Sequence, residues 1–389
     1  MSDPLIIVGS GMAGLGLARQ VRARDARRTI TLITADSGSD YSKPLLSTGF
    51  AKGMPPERLA MRSPIDVADA LQMTMRTHTR VDTIDPRTQT LAIGAERLPY
   101  GDLVLATGAA PSAPFTVADE VRDRVFTIND LDDYRRFHDV LSHHGGVARV
   151  ARVAIVGAGL VGCEFADDLL AGGHRVALVA PEQTPLARLL PPPLGQVLGA
   201  ALSKSGADLR LGRSLAQLQR DDEALSLVLD DGEALPADLV LIATGLSPRT
   251  ALAETAGLAV SEEGIQTDRY LATAQPGIHA LGDCACVAGL NAMYVQPLQA
   301  SAKALAATLT GTPTPVAYGA WPVLVKTPSC PVVALPPRQA PVRWRIEGEG
   351  DDLSALAEDE NGYLQGFALT GACVRRKVEL ARVAPPLLP

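Results

Sequence analysis

The sequence predicts an α/β protein made of two Rossmann-like units, each a three-layer ββα arrangement, followed by a small C-terminal α+β domain. Three observations predict it. An apolar strand running into a glycine turn and a helix occurs twice, at Leu5-Ile-Ile-Val-Gly-Ser-Gly-Met-Ala-Gly14 and at Val153-Ala-Ile-Val-Gly-Ala-Gly-Leu-Val-Gly162. Each copy continues into a second strand that is followed by a carboxylate, Ile30 to Thr34 with Asp36 and Val176 to Val179 with Glu182. From about Tyr318 the pattern changes to short alternating strands.

In chain order, the helices after the two glycine turns are expected over Leu15 to Ala23 and Cys163 to Ala171. A further shared pattern is an apolar strand entering a glycine turn, Leu103-Val-Leu-Ala-Thr-Gly-Ala-Ala-Pro111 and Leu239-Val-Leu-Ile-Ala-Thr-Gly-Leu-Ser-Pro248. Glycine lets the chain turn sharply there, and proline ends what precedes it. The C-terminal part is expected to hold strands at Val323 to Lys326, Val342 to Ile346 and Leu364 to Leu369, then a helix near Ala372 to Ala381. Pro191 to Pro193, Pro313 to Pro315 and Pro336 to Pro337 read as rigid connectors. The domain division that follows is 1–111 with 248–316, 112–247, and 317–389.

A chain of 389 residues, 47% apolar and 20% charged, can bury several cores. Its net charge of −7 argues against broad affinity for nucleic acid, which needs clustered lysine and arginine. No apolar run approaches the roughly twenty residues that span a bilayer, and no basic, apolar leader precedes Leu5, so a cytoplasmic protein with no membrane partner is expected. Cys163, Cys284, Cys286, Cys330 and Cys373 form neither a disulfide framework nor a metal-ligand pattern, so no metal site is expected.

In such a fingerprint the first glycine makes the turn, the second admits a pyrophosphate, and the third packs helix on strand. The helix N-terminus then faces the phosphates. One copy alone is equally well a tight turn; two copies, each preceded by a strand and followed by an acid, point to two dinucleotides. Ile278-His-Ala-Leu-Gly-Asp-Cys284 adds a strand ending in an acid suited to a polyol hydroxyl, and the ribityl chain of FAD is such a polyol.

Together these motifs resemble the two-dinucleotide flavoprotein reductases of the glutathione reductase superfamily. Tyr41-Ser-Lys-Pro-Leu-Leu-Ser47 is similar to the ferredoxin-reductase-like branch, and with Val325-Lys-Thr-Pro328 it resembles the bacterial rubredoxin reductases over essentially the whole chain. The resemblance implies tightly bound FAD and NADH as substrate. It implies that Gly9, Ser10, Gly11, Met12, Ala13 and Gly14 hold the FAD pyrophosphate, Asp36 the adenosine ribose, Val81 the adenine, Asp283 the ribityl chain and Val295 the isoalloxazine edge. Gly157, Gly159 and Gly162 would hold the nicotinamide dinucleotide. Relatives place the ribose acid directly at the strand end, where this chain has Thr34 and Ala180. Asp36 and Glu182, two residues later, either still reach the ribose hydroxyls or are solvated turn residues. With no arginine beside Glu182 for a 2′-phosphate, NADH is expected over NADPH.

The resemblance further implies an ion pair between Lys43 and Glu164 beside the flavin, with both residues catalytic. Lys326 is a third catalytic candidate. Its ammonium in an apolar strand needs a counter-charge if it faces inward, and the reduced flavin would supply one, worth up to roughly 4 kcal/mol at 4 Å and an effective dielectric near 20. The other reading is a lysine on the solvent face of an edge strand.

Disulfide reductases of the superfamily use a cysteine pair beside the flavin, and its oxygen and peroxide reductases use one cysteine in a Leu-Ser-Cys-Gly setting, where this chain reads Leu46-Ser-Thr-Gly49. Thr48 cannot form a sulfenic acid or a disulfide. Electrons must then leave from the flavin, most simply to rubredoxin or a similar small acidic carrier, and Arg375-Arg-Lys377 is either its docking patch or an ordinary solvated helix face. A ferredoxin or flavorubredoxin reductase shares these motifs. A flavin-bound interaction protein switched by reduction is the alternative from a different class.

Overall fold

A computed structural model describes residues 4–143, 150–221, 224–340 and 343–389. Val342, expected to open a strand, lies outside these residues.

Two five-stranded sheets, parallel throughout, repeat one plan. In the first, Ile278–Ala280, Asp102–Leu105, Leu5–Val8, Ile30–Ile33 and Thr74–Arg76 lie side by side in that order. In the second, the order is Val125–Phe126, Leu239–Ile242, Arg152–Val156, Arg175–Ala180 and Asp208–Leu211. Leu5–Val8 is buried along its length, as a parallel strand covered on both faces must be, and that is why it reads as an unbroken apolar run. Each sheet has an antiparallel three-stranded layer inserted before its third central strand. One comprises Thr83–Asp85, Thr90–Ile93 and Glu96–Pro99, the other Leu215–Asp221, Ala224–Leu229 and Ala234–Ala237.

The units are joined by two crossing segments that pair with each other. Ala109–Pro111 runs antiparallel to Leu246–Pro248, flanked by bonds from Ser112 N to Gly245 O (2.9 Å) and from Arg249 N to Gly108 O (3.0 Å).

The C-terminal part is one antiparallel sheet in the order Val323–Val325, Val332–Leu335, Leu364–Thr370, Asp352–Glu358, Arg343–Glu349. Val333, Leu335, Phe367 and Leu369 pack under Leu380 of the closing Lys377–Val383 helix. Val332, Ala334 and Ala368 face the other way, into a core shared with Leu178 and Leu194 of the second unit and Leu46 of the first. The helix expected near Ala372 to Ala381 is thus a 3-10 segment, Gly371–Arg376, followed by the α-helix. Pro191 to Pro193 is not a connector: Pro191 caps, and Pro192 opens, the Pro192–Lys204 helix, where a missing N–H costs nothing.

Candidate functional site: two glycine cradles and the junction between them

Each fingerprint is built against its Ala-Thr-Gly turn. Gly9 has φ +115°, and a Cβ on it would lie 2.2 Å from the carbonyl oxygen of Ala106; Gly157 has φ +111°, and its Cβ would lie 2.4 Å from that of Ala243. A Cβ on Gly14 or Gly162 would sit 1.9 Å from the carbonyl oxygen of Gly9 or Gly157. These contacts explain why the two motifs occur together: the Ala-Thr-Gly turn is the floor on which the fingerprint turn rests. Around Gly11 and Gly159, by contrast, a Cβ would meet nothing within 4 Å. Both are helix N-caps without a side-chain cap, for Met12–Arg24 and Leu160–Ala171. Open space in front of uncapped helix amides is what a pyrophosphate requires, so both cradles fit a dinucleotide.

Of the residues expected around FAD, Asp36 and the turn bearing Asp283 lie against the first cradle. Asp36 is no free turn residue: its Oδ1 accepts Ser10 Oγ (2.7 Å), Thr34 Oγ1 (2.7 Å) and Gly38 N (2.9 Å), which places the carboxylate over the fingerprint. Val81 is buried and, among the described residues, makes no main-chain hydrogen bond, leaving those groups for a ligand. Gly282 turns with φ +78°, and a Cβ there would lie 2.8 Å from Cβ of Ala13, so the turn bearing Asp283 packs on the fingerprint helix. Burial pushes the Asp283 carboxyl up, and Lys43 pulls it back. Lys43 is itself pushed down by burial and held up by Asp283. Val295 opens the Val295–Leu309 helix, whose N-terminus also lacks a side-chain cap.

In the second cradle, Glu182 accepts Gly212 N through its main chain (2.9 Å), while its half-buried carboxylate takes no hydrogen bond from the described residues. Arg213 N donates to Ala180 O (3.0 Å), but the guanidinium is held by Asp231 at 2.7 Å.

The expected Lys43–Glu164 ion pair is not formed. Lys43 starts the 3-10 segment Lys43–Thr48 and gives its Nζ to Asn129 Oδ1 (2.7 Å), whereas the far end of that segment faces Glu164, through Ser47 Oγ (2.6 Å). The cation on Glu164 is Lys326: its Nζ bonds Oε2 and its main-chain N donates to Oε1 at 2.9 Å. Lys326 thus finds its counter-charge in Glu164, while its side chain stays 30% exposed. Glu164 is 2% exposed, so sharing its charge among three donors is what makes its burial tolerable.

Sequence reasoning missed Asn129 and the neighbours of Glu164 on its helix, Asp167 and Asp168. Asn129 Nδ2 donates to Ala109 O (3.0 Å), tying Lys43 to the crossing segment. Acids at spacings of three and four from Glu164 were the available signal. Among the described residues Cys163, Cys284, Cys286 and Cys330 are buried, and no cluster suits a metal.

Comparison with known proteins agrees with this construction. Residues 3–307 match the pyridine nucleotide-disulphide oxidoreductase family, and residues 315–383 match the rubredoxin binding C-terminal domain. The chain is 41% identical to the rubredoxin-NAD(+) reductase of Alcanivorax borkumensis, over 99% of this chain and 100% of that one. It is 37% identical to the rubredoxin-NAD(+) reductase of Acinetobacter baylyi, over 99% of each. The reductase in a covalent putidaredoxin reductase–putidaredoxin complex superposes with a TM-score of 0.87 at 25% identity, over 98% of this chain and 94% of that one. With both glycine cradles inside the matched span, the chain belongs to the pyridine nucleotide-disulphide oxidoreductase family, alongside its rubredoxin-NAD(+) reductases.

Proposed function

We propose that this protein is an FAD flavoprotein that takes a hydride from NADH and delivers electrons singly to rubredoxin. The observation that carries the reading is the pair of like-built cradles joined through their own Ala-Thr-Gly turns, with Thr48 where a redox thiol would stand. FAD, when bound, accepts a hydride equivalent and gives up its electrons one at a time.

The protein's part is to bind and to fix charge. Amides from Gly9 through Gly14 would hold the FAD pyrophosphate, Asp36 the ribose, Val81 the adenine, Asp283 the ribityl hydroxyls and Val295 the ring edge. Gly157, Gly159 and Gly162 would hold the NADH pyrophosphate. The unpaired Glu182 carboxylate suits ribose hydroxyls and repels a 2′-phosphate, and Arg213, engaged by Asp231, offers that phosphate no partner. NADH is therefore preferred. Glu164 and Lys326 form a nearly neutral unit at the junction, so the pair orients its surroundings without adding net charge.

The division into 1–111 with 248–316, 112–247 and 317–389 follows the same reading, with the last part receiving the carrier. Anaerobic stopped-flow mixing with NADH, and then with rubredoxin, ferredoxin or flavorubredoxin, tests the whole. Bleaching of the flavin by NADH and fastest reoxidation by rubredoxin are expected; a colourless protein that takes up no FAD overturns the reading.

A further inference from the structure

The segment Ser47–Ala51 of the first unit enters a slot in the second. On one side stands the Leu131–His143 helix: the Phe50 ring lies 5.4 Å from that of Tyr134, 5.8 Å from Phe137 and 5.7 Å from His138, nearly parallel to the last. A Cβ on Gly49 would lie 2.2 Å from the Tyr134 hydroxyl. On the other side stands the Leu160–Ala171 helix, whose capping Gly172 would put a Cβ 3.0 Å from Cβ of Phe50. This tongue directly continues the 3-10 segment that carries Lys43 and Thr48.

The Leu160–Ala171 helix grips the tongue with carboxylates. Asp168 is 5% exposed, and its two oxygens accept the main-chain amides of Phe50 (3.0 Å) and Ala51 (2.9 Å). Burial raises its carboxyl above the ordinary range; those amides, and Lys52, act in the opposite direction. One helical turn earlier Glu164 holds Ser47, while Asp167 accepts Ser329 N (3.2 Å) from the C-terminal part. Residues 164, 167 and 168 share one helix face, and that helix begins at the second cradle. The helix that begins at the second cradle is thereby pinned to the segment that continues from Lys43 through hydrogen bonds between protein groups.

We propose that Asp168 is a positioning residue for hydride transfer, clamping the Phe50 and Ala51 amides so that the tongue, and with it the first cradle, keeps register with the second. The proposal rests on the NADH-to-flavin reading above. It requires two carboxylate oxygens on two main-chain N–H groups, which an amide cannot supply, since its NH2 would face a donor.

The test uses the full-length flavin-loaded protein with Asp168→Asn and, as a milder displacement that leaves the carboxylate intact, Gly172→Ala. In Asp168→Asn, hydrogen–deuterium exchange at Phe50 and Ala51 rises on the order of tenfold while flavin content stays at the wild-type value. In both variants hydride transfer at saturating NADH slows by about tenfold or more, with KM for NADH within about twofold. Reduction of rubredoxin by the dithionite-reduced variants keeps the wild-type rate, and Asp168→Glu recovers part of the hydride transfer. Unchanged exchange in Asp168→Asn, or wild-type hydride transfer in either folded variant, overturns the proposal. Should Asp168→Asn not fold, Gly172→Ala decides alone. If wild-type protein is not reduced by NADH while Asp168→Asn still loosens Phe50 and Ala51, the functional reading has failed and the clamp itself has not.

Discussion

Glu164 holds Ser47, the main chain of Lys326 and its ammonium at once, with almost no access to water. Removing its charge leaves Lys326 without a counter-ion. Glu164→Gln should slow flavin reduction by about ten- to a hundredfold, in line with one charge-assisted hydrogen bond of roughly 1.5–3 kcal/mol; an unaltered stopped-flow rate would discard the role. The glycines separate the two cradles more sharply. Because a Cβ at Gly14 or Gly162 would overlap a carbonyl oxygen at 1.9 Å, either alanine variant must distort one turn and one only. Gly14→Ala should yield protein depleted of flavin, and Gly162→Ala protein that keeps its colour but is no longer bleached by NADH. Absorbance of the purified variants before and after NADH reads both outcomes.

Among the elements, the C-terminal sheet offers a titratable cross-strand contact. Glu358, on Asp352–Glu358, accepts Arg345 (2.8 Å) and Arg343 (2.7 Å) from the neighbouring strand, and these arginines, Arg345 most, hold its carboxyl below the ordinary carboxylate range. A depressed carboxyl stabilises the fold above the unfolded value and loses that contribution as pH falls through the lowered one. Glu358→Gln should therefore melt below wild type at pH 7, and the Tm gap should close under acid conditions; a gap constant with pH refutes the pairing. This sheet was also the part least legible from sequence. Val332–Leu335 is buried on both faces and lacks alternation, so it went unread, as did Asp352–Glu358 beside it. The two Rossmann sheets were legible because each central strand is an apolar run ended by glycine. The Glu164–Lys326 pair was not, since its partners are 162 positions apart and only the packing of the third part on the second unites them.

At the scale of the molecule, one core runs through all three parts, from Leu46 and Leu59 through Phe137, Leu178 and Leu194 to Val332 and Ala368. A rigid junction of this kind leaves carrier delivery to the outer surface. Arg376 is engaged by Glu347 at 3.2 Å, whereas Arg375 is exposed beside the closing helix. If the patch receives an acidic carrier, Arg375→Glu lowers the second-order rate of rubredoxin reduction severalfold at low salt, and the deficit shrinks as ionic strength rises and the Debye length falls below about 8 Å. Equal rates at low salt would assign docking elsewhere. The paired crossing segments carry one last consequence. Since Ser112 and Gly245 meet through a single hydrogen bond, the intervening stretch leaves and re-enters the host at adjacent points. It is built like a cartridge with a keyed face: a counterpart of different coenzyme preference grafted between the same two ends would have to reproduce the contacts of Phe137, Glu164, Asp167 and Asp168 with the rest of the chain.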